Sequence, residues 1–173
     1  MIVRKCLSTT PVVLLIVCTL LVSSSVFSQH VKTVTDQLAR DADVIVVGRV
    51  GTLKAEWNAN KSRIQTRVTI AVNSVLKGDA GQQTISLVVP GGEVDGVGEW
   101  YSHSPRFLRS EDVVVFAKKD ARGSLRVASG EQGKLTIKQD STTGAKIIPN
   151  VGTLAQFTSH LRTALASRPG PGR

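Results

Sequence analysis

Apolar and polar residues change rhythm several times along the chain, and each change marks an element. A largely apolar run from Pro11 to Val22 follows Arg4 and Lys5 and precedes Ser23-Ser24-Ser25, the layout of an export signal. Its uncharged stretch of about a dozen residues is short of the roughly 20 that span a bilayer, so removal is expected rather than anchoring. Val26-Phe27-Ser28 is the expected cleavage site, leaving a mature chain from Gln29 to Arg173 with no membrane span. Val31, Val34 and Leu38 then fall at helical spacing, with Thr33 and Asp36 as a capping pair, which predicts a short helix within 29–42.

From Asp43 the period changes. Val44-Ile45-Val46-Val47 is a continuous β-branched run that continues through Gly48 and Gly51 toward Trp57 and predicts a long strand bent at its glycines. After a turn at Asn58-Ala59-Asn60, Ile64, Thr66, Val68, Ile70 and Val72 alternate with Arg63, Gln65, Arg67, Thr69 and Ala71, the mark of a half-buried strand. The alternation slips at Val75-Leu76, where a bulge is expected. Further strands are predicted at Thr84 to Val89, Asp112 to Ala117, Leu125 to Val127 and Leu135 to Ile137, with turns at Lys119 to Gly123 and Gly130 to Gly133. No helix separates these strands, which excludes alternating strand and helix units and predicts a β meander or small barrel of five or six strands over 43–150. A second capping pair, Thr153 and Gln156, opens a helix within 151–168 whose Leu154, Phe157, Leu161 and Leu165 share a face. Pro169 ends it, and 169–173 is expected to be a disordered tail.

Composition narrows the chemistry. The 173 residues are 41% hydrophobic and only 4% aromatic, enough apolar material for one domain core. Both cysteines, Cys6 and Cys18, fall in the expected signal, so the mature chain has neither disulfide nor thiolate chemistry. Val17 before Cys18 also lacks the small side chain that lipid attachment requires.

Charge is unevenly distributed: net +4 over 29–77, −4 over 78–112 and +7 over 113–173. Solvated faces of an exported protein account for this, and so does a basic surface built from Arg49, Arg63, Arg67 and Arg126 that attracts an anionic envelope polymer or oligosaccharide. Export and the scarcity of aromatics argue against nucleic acid.

Pro90-Gly91-Gly92-Glu93-Val94-Asp95-Gly96-Val97-Gly98 lacks the Lys-Ser/Thr of a phosphate loop, and its acids would repel phosphate. Glu93, Asp95 and Glu99 are oxygen donors without regular calcium-ligand spacing, so a mobile connection between strands is the expectation, with no metal and no cofactor. Trp100, Tyr101, His103, Pro105, Arg106 and Phe107 follow. They form either a recognition surface or, at Trp100 and Phe107, a plug for the barrel end; Trp57 and Arg63 leave the same two readings open. His30, His103 and His160 form no zinc motif, and Ser102 and Ser104 lack a nucleophile elbow. Glu111 and Asp112 are neighbours whose side chains would face opposite ways in a strand. A non-enzymatic binding module is therefore expected, meeting a protein partner through Glu93, Asp95, Trp100, Tyr101 and Arg106. A hydrolase remains the alternative, recognisable by a deep pocket holding a histidine against a carboxylate.

Asp43 to Val50, Thr66 to Ile70, Val75-Leu76-Lys77-Gly78, Glu111 before an apolar strand, Pro90-Gly91-Gly92 and Pro105-Arg106-Phe107 together resemble bacterial exported domains of OB-like barrel form. More distantly, they are similar to the netrin and tissue-inhibitor-of-metalloproteinase family. The resemblance implies an OB-like barrel over about 40–140 and a periplasmic or secreted location. It also raises a protease-inhibitor-like role, but that family chelates the target's zinc through an N-terminal cysteine, and Gln29 would stand there instead.

Overall fold

The computed structural model describes residues 34–79 and 83–167. The expected signal with its cleavage site, Thr33, Pro169 and the expected tail lie outside the described residues. Helix α1 (34–41) leads into β1 (Val44–Trp57), β2 (Ile64–Lys77) and β3 (Thr84–Pro90). A small hairpin follows, β4 (Gly92–Val94) and β5 (Val97–Glu99), and then β6 (Asp112–Lys119) and β7 (Leu125–Val127). A single 3-10 turn, Gly130–Gly133, precedes β8 (Lys134–Gln139), β9 (Lys146–Ile148), β10 (Gly152–Thr153) and helix α2 (Leu154–Ala166).

Five strands close on one another. β1, β2 and β3 are antiparallel neighbours, β3 meets β7 in parallel at Leu87 and Leu125, β7 pairs with β6, and β6 returns to β1. The result is a mainly β, closed five-stranded barrel with a short helix before it and a longer one after it, compatible with an OB-like fold. β8, β9 and β10 extend from the other edge of β6, and α2 packs on β9, β10 and β2.

The unbroken apolar run in β1 is explained by burial on both faces. Val44, Val46 and Val50 belong to the barrel interior with Val68, Ile70, Leu87, Val113 and Val115. Ile45 and Val47 project to the opposite side with their cross-strand partners Phe116 and Val114, and all four are buried. Phe157 and Leu161 of α2, Ile148 of β9 and Leu38 of α1 are buried as well. The capping box of α2 forms as expected, with Thr153 Oγ1 accepting from the Gln156 N–H.

Register shifts between β1 and β2 occur at Ile45/Val46, Val47/Gly48 and Val50/Leu53. The first leaves Leu76 as the extra residue of β2, the slip that the broken alternation foretells. It has a structural use: Lys77 Nζ donates to the carbonyls of Ala39, Arg40 and Ala42 at 2.7, 2.9 and 2.5 Å, neutralising the negative end of α1. Gly78, at φ 75°, lies where a Cβ would be 2.2 Å from the Asp43 carbonyl oxygen. Val75-Leu76-Lys77-Gly78 is thus a bulge, a helix cap and a close backbone crossing in succession.

Residues 92–99 hold regular structure where the sequence shows only a connection. They form the β4–β5 hairpin, closed by Asp95 and Gly96 at φ 50° and 78°, the positive pair that a two-residue type I′ turn requires. β9 and β10 also exceed the sequence expectation, and α2 begins at Leu154, directly after its Thr153 cap.

Candidate functional site

β1 and β2 run on past the end of β6 as an arm, with β3 paired to β2 as far as Gln65, and the β4–β5 hairpin folds against it. Gly91 N–H donates to the Ile64 carbonyl at 2.9 Å, and Thr66 Oγ1 donates to the Gly91 carbonyl at 2.7 Å. A Cβ on Gly92 would come within 2.6 Å of Thr66 Oγ1 and 3.0 Å of Ala55 Cβ, so the approach requires glycine. The far strand is tied by Glu99 Oε2, which accepts from the Ile64 N–H at 3.1 Å and the Tyr101 hydroxyl at 2.8 Å. That hydroxyl, the Ile64 N–H and nearby Arg63 hold the Glu99 carboxyl below its usual range, while the same bond raises the Tyr101 phenol.

Between the arm, the hairpin and the 100–108 loop lies a groove of about 360 Å³. Its floor is apolar, with Leu53, Ala55, Val68 and Val89, and its rim carries Glu93, Trp100, Tyr101, Arg106 and Leu108. Trp100 is 72% exposed and Leu108 68%, whereas Phe107 is 8% exposed and packs into the barrel core. The two roles left open for the aromatic cluster are therefore divided: Phe107 plugs the barrel and Trp100 stands outside it. Arg106 Cζ sits 5.8 Å from the centre of the Trp100 ring, within cation–π range. Trp57 is half-buried and Arg63 exposed.

The loop's base is held by a pair that charge counting does not reveal. Lys134 Nζ donates to Glu111 Oε1 at 2.6 Å and to the Arg106 carbonyl at 2.8 Å, and lies 5.4 Å from the Phe107 ring centre. Glu111 also accepts from Thr136 Oγ1 at 2.7 Å and from the Leu108 N–H at 3.1 Å. Burial pushes the Glu111 carboxyl up, but these donors outweigh it and hold the group below its ordinary range. Asp112 faces elsewhere, bound by Arg49 and Lys146.

Of the five residues expected to form the site, Glu93, Trp100, Tyr101 and Arg106 line this groove. Asp95 sits at the hairpin tip and is not among its lining. Leu53, Ala55, Val68, Val89 and Leu108 escaped the sequence reading because each is an ordinary strand or loop residue until the hairpin folds over. Three of the four arginines expected to form a basic surface have acidic partners, Arg49 with Asp112, Arg67 with Glu56 and Arg126 with Asp120, while Arg63 is exposed near Glu99 and Tyr101. Among the described residues, no three His, Cys, Asp or Glu side chains converge on a metal position, and no helix is long and apolar enough to cross a membrane. His160 Nε2 meets Asp36 Oδ1 at 2.9 Å, half-exposed, and neither residue lines the groove.

Six carboxyls have depressed pKa values through their donors: Glu56 by Arg67, Glu99 by Tyr101, Glu111 by Lys134 and Thr136 against burial, Asp112 by Arg49, Asp120 by Arg126 and Asp140 by the N–H and hydroxyl of Thr143. The unfolded chain binds protons at these groups first, so their contribution is full above about pH 5 and is lost as pH falls through about 4 and below. Urea midpoints should accordingly be level from pH 7 to 5 and drop toward pH 3; a level midpoint throughout would contradict this. No family model matches the chain, and no curated protein matches it significantly.

Proposed function

We propose that the chain is an exported, non-enzymatic binding module of OB-like form that takes a protein partner at this groove, in the periplasm or outside the cell. The observation that carries the reading is Trp100: a large aromatic side chain, 72% exposed, beside an apolar floor and stacked by an arginine. Exposed Trp and Arg at the mouth of an apolar concavity are the residue types that dominate protein recognition. The apolar run at 11–22 and the likeness to bacterial exported domains support the location. Zinc chelation in the manner of the metalloproteinase inhibitors lacks its N-terminal cysteine and is not part of the proposal.

Affinity capture from the organism's envelope, with the wild type and the variants Trp100→Ala and Arg106→Ala side by side, tests this. Each variant should reduce retention of the captured partner at least about tenfold, the effect of losing a hot-spot side chain, while the melting temperature shifts by no more than about 2 °C. Retention equal to the wild type in both variants would overturn the proposal, and unfolding of both would reassign these side chains to the core.

A further inference from the structure

β1 has an open edge where it borders the groove. On one side its whole length pairs with β2, but on the other β6 reaches only to Arg49, and backbone bonds with Ser110 and Glu111 end at Val50. Asn58 N–H donates to the Arg63 carbonyl. In the register that follows, Glu56 opposite Gln65 and Lys54 opposite Arg67 are hydrogen-bonded pairs. The N–H and C=O groups of Leu53, Ala55 and Trp57 therefore point away from β2, and no described residue pairs with them. These three residues alternate along roughly 13 Å of strand, and the side chains of Leu53 and Ala55 form part of the groove floor.

Resting on the reading of the groove as a binding site, we propose that its partner is an extended peptide that adds as a strand to β1 at Leu53, Ala55 and Trp57, with alternating apolar and acidic side chains. The free backbone groups supply the demand for a strand. The groove determines the apolar half of the pattern, because a residue opposite Ala55 projects onto the same face, above Leu53, Ala55 and Val68. Glu93 on the rim disfavours a carboxylate inside. Charge determines the other half: a residue opposite Lys54 projects to the outer face, where Lys54 is exposed and in no ion pair among the described residues, and Arg106 at the groove mouth likewise has no carboxylate partner there.

The probe is a displayed library of random linear dodecapeptides selected on the mature chain, followed by synthesis of the winners. Selected peptides should alternate apolar and acidic residues. On binding, the amides of Leu53, Ala55 and Trp57 should slow in hydrogen exchange at least about tenfold, while those of Lys54 and Glu56, already bonded to β2, change less. N-methylation of every second peptide residue should weaken binding at least about tenfold, and methylation of the intervening residues should matter little. Peptides that bind and lose affinity in Trp100→Ala, but show neither the protection nor the alternation, would overturn strand addition and leave the groove reading intact. Protection and alternation with Trp100→Ala unaffected would support strand addition and remove Trp100 from the site. A library that yields no binder would overturn strand addition, the groove reading then resting on envelope capture.

Discussion

Glu111→Ala is expected to destabilise the protein by about 2–4 kcal/mol, read from urea midpoints at constant slope. The carboxylate and Lys134 are 11% and 12% exposed, so removing one leaves the other's charge largely desolvated. The loss includes the Leu108 N–H and Thr136 hydroxyl, both of which donate to the same group. If charge imbalance is the main cost, the double variant Glu111→Leu with Lys134→Met should recover part of the stability, because an apolar pair needs no compensation. A double variant as unstable as Glu111→Ala would show instead that the hydrogen bonds to the loop matter most. Partner binding should also fall in Glu111→Ala, since Leu108 and Arg106 both hang from this cluster.

Gly78→Ala should be the second severe lesion, costing roughly 3 kcal/mol, of which about 1–2 is the left-handed backbone and the remainder the displacement of a neighbouring main chain. The added Cβ would lie 2.2 Å from the Asp43 carbonyl oxygen, an atom of the backbone that cannot swing aside. Gly123→Ala is the control, with the same positive φ but nothing within 4 Å of the new Cβ. It should cost only about 1 kcal/mol, and thermal melting of the two variants isolates the close approach. Equal losses would mean that Asp43 and its strand yield readily.

The barrel strands were legible because each side chain's exposure follows the period of its own strand. Ile64 to Val72 alternates because one face is dry, and Val44 to Val47 does not because both are. The hairpin is not legible in the sequence although Asp95-Gly96 is a strong turn signal: its strands are three residues long, contain Gly92 and Gly98, and carry no apolar period. Trp100 and Phe107 could not be separated from sequence because both are aromatic residues of one loop. The direction each takes is decided by Gly91 and Gly92, which turn the chain over the arm, and by Glu111 and Lys134, which tie Leu108 and Arg106 down on either side of Phe107. The pairing of the arginines is hidden for a similar reason: Arg49 is the direct cross-strand partner of Asp112, 63 residues away, a neighbour that a running charge count does not see.

The two-sided burial of β1 constrains how the molecule comes apart. Since Val44 and Val46 line one core while Ile45 and Val47 line the other, detaching α2 and its supporting strands would wet the back of the very segment that closes the cylinder. β1 and β6 carry buried residues on both sides, so heating should produce a single endotherm whose calorimetric and van't Hoff enthalpies agree.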